Sequence, residues 1–211
     1  MKILHVGASG LVGGFVLSQL LTDPRIEQVI APTRKALAIR HARLDNPVVD
    51  FERLPSADAA LWRADAVICT LGTTMKQAGS RARFRRVDHD YTLQIARNAL
   101  QGGAYAFALN SALGADPASR FFYNRVKGEL ERDLQQLPYP SMTFVRPGLI
   151  GGRRAQFRAS EQAFAAALKL VGPLLPPRWR INPAAHIAAA LVDSATQAMP
   201  GRHVVDAAEL A

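Results

Sequence analysis

The stretch HVGASGLVGGFVLSQLL constrains this chain more than any other, because it sets Gly7, Gly10 and Gly13 between an apolar run and a helix-like segment. Residues 2–6 (KILHV) read as a strand and Leu11 to Leu21 as a helix. Glycines gather in any turn, so the spacing alone says little. Position says more. At the end of an N-terminal strand, glycine lets the backbone approach a pyrophosphate, and the open amides of the following helix favour its charge. On this reading Gly7, Ser9, Gly10, Leu11, Val12 and Gly13 surround the phosphates. The alternative is a bare strand-to-helix turn.

The same alternation continues along the chain. Short apolar runs at Gln28 to Pro32, Pro47 to Phe51, Asp65 to Thr70, Ala104 to Asn110 and Met142 to Pro147 read as strands. Longer segments at Arg86 to Leu100 and Ser119 to Gln136 read as helices, the second started by Asp116 as cap and Pro117 in the first turn. This rhythm predicts an α/β fold, a Rossmann-like doubly wound parallel sheet. With 211 residues, 49% of them hydrophobic, one domain over residues 1–211 is expected. Beyond Gly151 the pattern turns helical and Ala-rich, so residues 151–200 are expected to form a small helical, substrate-side part of that domain.

The formal charge of +9 bears on partners and not on fold. Its basic clusters, Arg81 to Arg86, Gly151 to Arg154 and Arg178 to Arg180, lack zinc spacing or RNA-binding aromatics, so they read as solvated faces and no nucleic acid is expected. The five histidines show no ligand spacing, and no metal is expected. Cys69 stands alone in AVICTLG and reads as a buried thiol in a reducing compartment. No apolar run is long enough for a membrane span, and the N-terminus lacks the pattern of a signal peptide. A cytoplasmic protein is expected.

The second strand ends in APTRKA, where a preference for NAD would usually place an acid for the ribose hydroxyls. Arg34 and Lys35 stand there instead. A guanidinium suits a 2′-phosphate, so NADP is expected over NAD; an exposed basic loop is the alternative. Asp50 could accept a hydrogen bond from the adenine amino group or cap a local turn. In CTLGTT, Leu71, Gly72 and Thr73 would let the chain pass close to the ribose and nicotinamide.

The fifth strand ends in LNSALGAD, which sets Ser111 at the carboxyl edge where doubly wound sheets hold ligands. The helix after it carries FFYNRVKGELE, with Tyr123 and Lys127 one turn apart on one face. The spacing recurs by accident in many helices. Following a nucleotide turn and in order with Ser111, it becomes a candidate catalytic set. A lysine ammonium beside a phenol favours phenolate, moving the acid toward a useful range.

With its glycine turn, the serine after strand five and Y-x-x-x-K, the chain resembles the short-chain dehydrogenase/reductase superfamily. CTLGTTMKQAG, FRRVDHDYTL, NSALGAD, FFYNRVKGELE and FVRPGLIGGRR resemble its atypical branch of Tat-interacting-protein-like oxidoreductases, over roughly residues 1 to 155. The resemblance implies that Ser111 holds the substrate carbonyl or hydroxyl and Tyr123 exchanges its proton. Lys127 would bind the nicotinamide ribose and lower the tyrosine pKa, and Pro147 would fix a wall beside the nicotinamide. It also implies a homodimer through the helices flanking strand five. Asp88 departs from the superfamily's usual asparagine and reads as a support position.

The expected function is NADP-dependent hydride transfer to or from a small carbonyl or alcohol. A nonenzymatic NADP-responsive, protein-binding regulator is the alternative, with a nucleotide-sugar epimerase or dehydratase and a flavin reductase behind it. About sixty residues follow Gly151, too few for a large sugar-nucleotide lobe. Arg153, Arg154, Arg178 and Arg180 are candidates for a pocket rim or for solvated surface, and Trp179 for a lid or packing residue.

Overall fold

Apolar runs become strands here because parallel strands are covered on both faces and need no polar side. The computed structural model describes residues 1–151 and 181–211. Its main sheet contains β1 (Lys2–Val6), β2 (Gln28–Ile30), β3 (Leu44–Asp45), β4 (Ala66–Cys69), β5 (Ala106–Asn110), β6 (Ser141–Arg146) and β9 (Gly201–Asp206). The order is β3-β2-β1-β4-β5-β6-β9, and every pairing is parallel. A second, two-stranded ladder joins β7 (Leu149–Gly151) to β8 (Ile181–Pro183). The strand order reverses between β1 and β4, and a crevice opens at such a reversal on the carboxyl edge.

Successive strand residues point to opposite faces, which divides the core in two. Ile3, Val29, Ile68, Ala108 and Val145 pack under α1 (Leu11–Thr22) and α6 (Ala184–Gln197). Leu4, Val67, Phe107, Leu109 and Phe144 pack under α4 (Tyr91–Gln101) and α5 (Phe122–Leu134), with Trp62 and Tyr139 closing that side. The predicted doubly wound sheet is therefore the observed one, with helices on both faces.

Several boundaries differ from expectation. The third strand is Leu44–Asp45, and Pro47 to Phe51 contributes a lone bridge between Thr33 and Val48. Pro47 is the reason: it has no N–H for the Ala31 carbonyl, which accepts from the Asn46 amide at 2.5 Å instead, while the Thr33 amide still donates to the Pro47 carbonyl at 3.1 Å and the Val49 amide to that of Thr33 at 2.9 Å. The helix expected from Arg86 starts earlier, as α2 (Met75–Ala78) and α3 (Arg81–Arg85), and runs through a π-turn at Arg86–Asp90 into α4. The next helix begins at Phe122, with no side-chain cap. Asp116 instead accepts from the Ala118 amide at 2.8 Å, closing its own turn. That turn rests on α5 so closely that a Cβ on Gly128 would lie 2.2 Å from the Asp116 carbonyl carbon.

At the C-terminal end, α6 matches the Ala-rich helical reading, but β8 and β9 do not, and β9 completes the sheet beside β6. Arg153, Arg154, Arg178, Trp179 and Arg180 lie outside the described residues.

Candidate functional site

Gly7 links β1 to α1 with φ +96°, a region that side chains other than glycine's rarely adopt. A Cβ there would lie 2.5 Å from the Thr70 carbonyl carbon, and one on Gly13 would lie 2.0 Å from the Gly7 oxygen. The turn is thus pressed between α1 and the end of β4. His5 braces it from below. Its Nε2 lies 3.0 Å from the Gly13 carbonyl and its Nδ1 3.3 Å from that of Ile68. Burial pushes its pKa below the ordinary value. A neutral ring carries one proton, and the shorter contact is the better hydrogen bond.

Gly10 caps α1 without a side-chain bond. Among the described residues no acceptor reaches the Leu11 and Val12 amides, which leaves them to an anion. A groove of about 660 Å³ opens above them. Gly7, Ser9, Gly10, Arg34, Asp50, Leu71, Gly72 and Thr73 all line it. Leu11, Val12 and Gly13 form the helix turn behind this wall. Lys35 is exposed and outside the lining; its carbonyl accepts from Thr33 Oγ1 at 2.7 Å. Asp50 lies at the groove and also accepts from the Glu52 amide at 2.9 Å, so it closes a local turn.

The basic cluster expected to be solvated contributes Arg83 and Arg86 to the same groove. Arg86 donates to Glu52 at 3.0 Å, while Arg34 and Arg83 make no ion pair among the described residues. Narrow glycine walls, open helix amides and unpaired guanidiniums fit a dinucleotide with its phosphates.

Beyond the groove, Lys127 Nζ lies 2.8 Å from Asp88 Oδ1, with the two side chains 4% and 1% exposed. The other carboxylate oxygen accepts from the Thr73 amide at 2.8 Å. Burial opposes the ammonium, but Asp88 and then Tyr123 outweigh it and hold the Lys127 pKa above its ordinary value. Tyr123, one turn earlier on α5, is 41% exposed and packs against buried Phe84. Lysine and tyrosine therefore share a helix face, as the spacing required.

Ser111 follows β5 but is buried, and its hydroxyl donates to Glu131 Oε1 at 2.5 Å. Arg146, from the end of β6, donates to both oxygens of the same carboxylate at 3.1 and 2.5 Å. The serine proton is thus taken up by the protein. Pro147 is buried, and its carbonyl accepts from the Leu113 amide at 2.8 Å, tying the end of β6 to the loop that carries Ser111.

Reading the sequence missed Glu131, Arg83 and Arg86. Glu131 carried a signal, since Tyr123, Lys127 and Glu131 recur every four residues on one face. The arginines carried none, because a charge run reads alike on a groove wall and on open surface.

A phosphate-ready glycine turn at the switch point of a doubly wound sheet defines a dinucleotide-binding α/β protein. The chain belongs to the NAD(P)H-binding family, whose sequence profile matches residues 7–151. It is 36% identical to Protein HTATIP2 of Rattus norvegicus over 181 residues, which are 84% of this chain and 73% of that one. It is 33% identical to Protein fmp52, mitochondrial, of Aspergillus clavatus over 209 residues, 95% and 89% of the two chains. These relatives place it in the atypical short-chain dehydrogenase/reductase branch that its motifs resemble.

Two solved structures share the fold at 15% identity. One is MoeE5 in complex with UDP-glucose and NAD, with TM-score 0.73 over 97% of this chain and 75% of that one. The other is a short chain dehydrogenase family protein from Francisella tularensis, with TM-score 0.68 over 99% and 98%. Among the described residues no helix is long and apolar enough to cross a membrane.

Proposed function

We propose that the chain is an NADP-dependent oxidoreductase that moves a hydride to or from a small carbonyl or alcohol. One observation carries this reading: Tyr123 stands exposed one turn before a buried, charged Lys127 that Asp88 joins to the groove loop at Thr73. When bound, the nicotinamide supplies or accepts the hydride. Tyr123 gives or takes the proton at the substrate oxygen, and its phenol is the exposed member of the set. Lys127 holds the nicotinamide-side ribose. Ser111, whose proton is held by Glu131, can accept from the hydroxyl of an alcohol substrate, and it meets a carbonyl oxygen only by turning that proton away from Glu131. Arg34 binds the 2′-phosphate, which favours NADP, while Leu11 and Val12 offer amides to the diphosphate.

The proposal includes a homodimer through α4 and α5, the helices that flank β5. It also includes a reducing compartment, on the strength of the single buried Cys69. The cytosol is the first choice, and the mitochondrial names of the fungal relatives make the mitochondrion the second. The nucleotide-sugar reading has weaker support: MoeE5 binds UDP-glucose in its complex, but a quarter of its length has no counterpart here.

The test is a titration of the protein with NADPH and NADH, followed by a screen of small ketones and alcohols. Arg34→Ala should weaken NADPH about tenfold or more while sparing NADH. Tyr123→Phe should bind cofactor and lose turnover. Failure of both nucleotides to bind removes the reading, and turnover that survives Tyr123→Phe removes the role given to the tyrosine.

A further inference from the structure

We infer that Arg83 is a second guanidinium for the 2′-phosphate of NADP, reaching into the groove from α3 to join Arg34; this rests on the NADP-dependent reading above. The run RARFRR reads as one solvated face, but α3 and the π-turn after it divide it in two. Arg81 lies 5.2 Å from the Phe122 ring centroid, Phe84 packs on Phe122 and Tyr123, and Arg85 pairs with Glu129, so these three turn toward α5. Arg83 and Arg86, three residues apart and therefore neighbours on the helix surface, line the groove instead.

Among the described residues the cations lining the groove are Arg34, Arg83 and Arg86, and the acids are Asp50 and Glu52. Arg86 is engaged: it donates to Glu52 at 3.0 Å and offsets that carboxylate. The side chains of Arg34 and Arg83 make no ion pair among the described residues, and the glycine turn from Gly7 to Gly13 carries no cation. One short segment links Arg34 to α3. The carbonyl of Thr33 accepts from the Val49 amide at 2.9 Å, and Glu52, three residues on, holds Arg86. Arg83 lies one helical turn from Arg86, so its long stem can meet an anion that Arg34 also holds. A phosphate monoester carries nearly two charges and three acceptor oxygens at neutral pH, more than one guanidinium fork satisfies. The diphosphate already has the Leu11 and Val12 amides.

NADPH and NADH differ only in the 2′-phosphate, so the test titrates both into wild type, Arg34→Ala, Arg83→Ala, the double variant and Arg81→Ala, with thermal melting run alongside. Arg83→Ala keeps the start of α3, because it is the Arg83 backbone amide that donates to Ser80 Oγ, at 3.2 Å, and alanine favours helix. It should weaken NADPH about tenfold or more and change NADH by less than about twofold. The double variant should bind NADPH no tighter than NADH. Arg81→Ala removes the same charge two residues away and should change either affinity by less than about twofold, which separates a contact from the general field of a chain at +9.

Equal losses for the two nucleotides in Arg83→Ala would put the guanidinium on a group that they share, and an equal effect of Arg81→Ala would reduce it to background charge; either overturns the inference. A selective loss in Arg34→Ala with none in Arg83→Ala strikes Arg83 alone and leaves the NADP-dependent reading standing. A wild-type protein that binds neither nucleotide, or binds both equally, strikes that reading, and the inference falls with it.

Discussion

The Phe84 ring packs against that of Tyr123 with centroids 5.7 Å apart and planes at 58°, and touches Phe122 at the same 5.7 Å. Phe84 is fully buried, and Arg81 and Arg125 lie 5.2 and 5.8 Å from the Phe122 centroid. The small cluster of Ala78, Phe84, Val126 and Phe122 thus fixes the first turn of α5, which carries the exposed phenol. Phe84→Ala should lower unfolding free energy by about 3–5 kcal/mol, as emptied aromatic sites do. Chemical denaturation measures it. A loss below about 1 kcal/mol would mean that the cluster does not hold the helix start.

The two adjacent glycines of α1 should respond in opposite directions. Gly13→Ala drives a Cβ into the Gly7 carbonyl, which is backbone and cannot swing away, whereas a Cβ on Gly14 meets nothing within 4 Å. Gly14→Ala should stabilise by about 0.5–1 kcal/mol through the ordinary helix preference. Gly13→Ala should destabilise by more than about 2 kcal/mol and weaken nucleotide binding. Melting temperatures of the two variants, measured side by side, check the contrast; similar shifts would contradict it.

His5 makes stability depend on pH. Its folded pKa lies below the ordinary histidine value of 6.5, chiefly because burial disfavours the charged ring. The unfolded chain therefore takes up a proton near pH 6.5 that the folded chain still refuses. The stabilisation is complete above that pH and is lost as pH falls toward the folded value, with a slope of at most about 1.4 kcal/mol per pH unit. Urea unfolding at about pH 7.5 and about pH 5.5 should show the decline, and His5→Gln should reduce it. An equal decline in the variant would assign it to other groups.

Ser111→Ala should cost stability as well as any turnover, because the hydroxyl donates to a buried carboxylate. The expected loss is about 1–3 kcal/mol, the range for leaving a buried acceptor short of one partner. Arg146 keeps Glu131 paired, so folding should survive. An unchanged unfolding midpoint would show that the serine–glutamate bond contributes nothing to the fold.

Local chemistry made much of this protein legible. The glycine turn, the apolar strands and the Tyr123–Lys127 spacing depend on neighbours along the chain, and each stands where its residues put it. The sequence by itself determined the doubly wound class, because alternating buried strands and helices have few other ways to cover their apolar faces. Other features depended on partners far away in sequence. Pro47 to Phe51 looks like a strand, but only the fold sets Pro47 opposite the Ala31 carbonyl, where its missing N–H interrupts the ladder and the Asn46 side chain donates instead. The segment at Gly201 is short and polar in alternation, and becomes the seventh strand only because β6 offers an open edge. In one dimension Asp88 reads only as a support position and Glu131 only as a third acid or base on the Tyr123–Lys127 face, with no partner named for either. Their roles came from the tertiary structure, because a buried carboxylate takes its meaning from the cation or hydroxyl that the fold brings within hydrogen-bond distance.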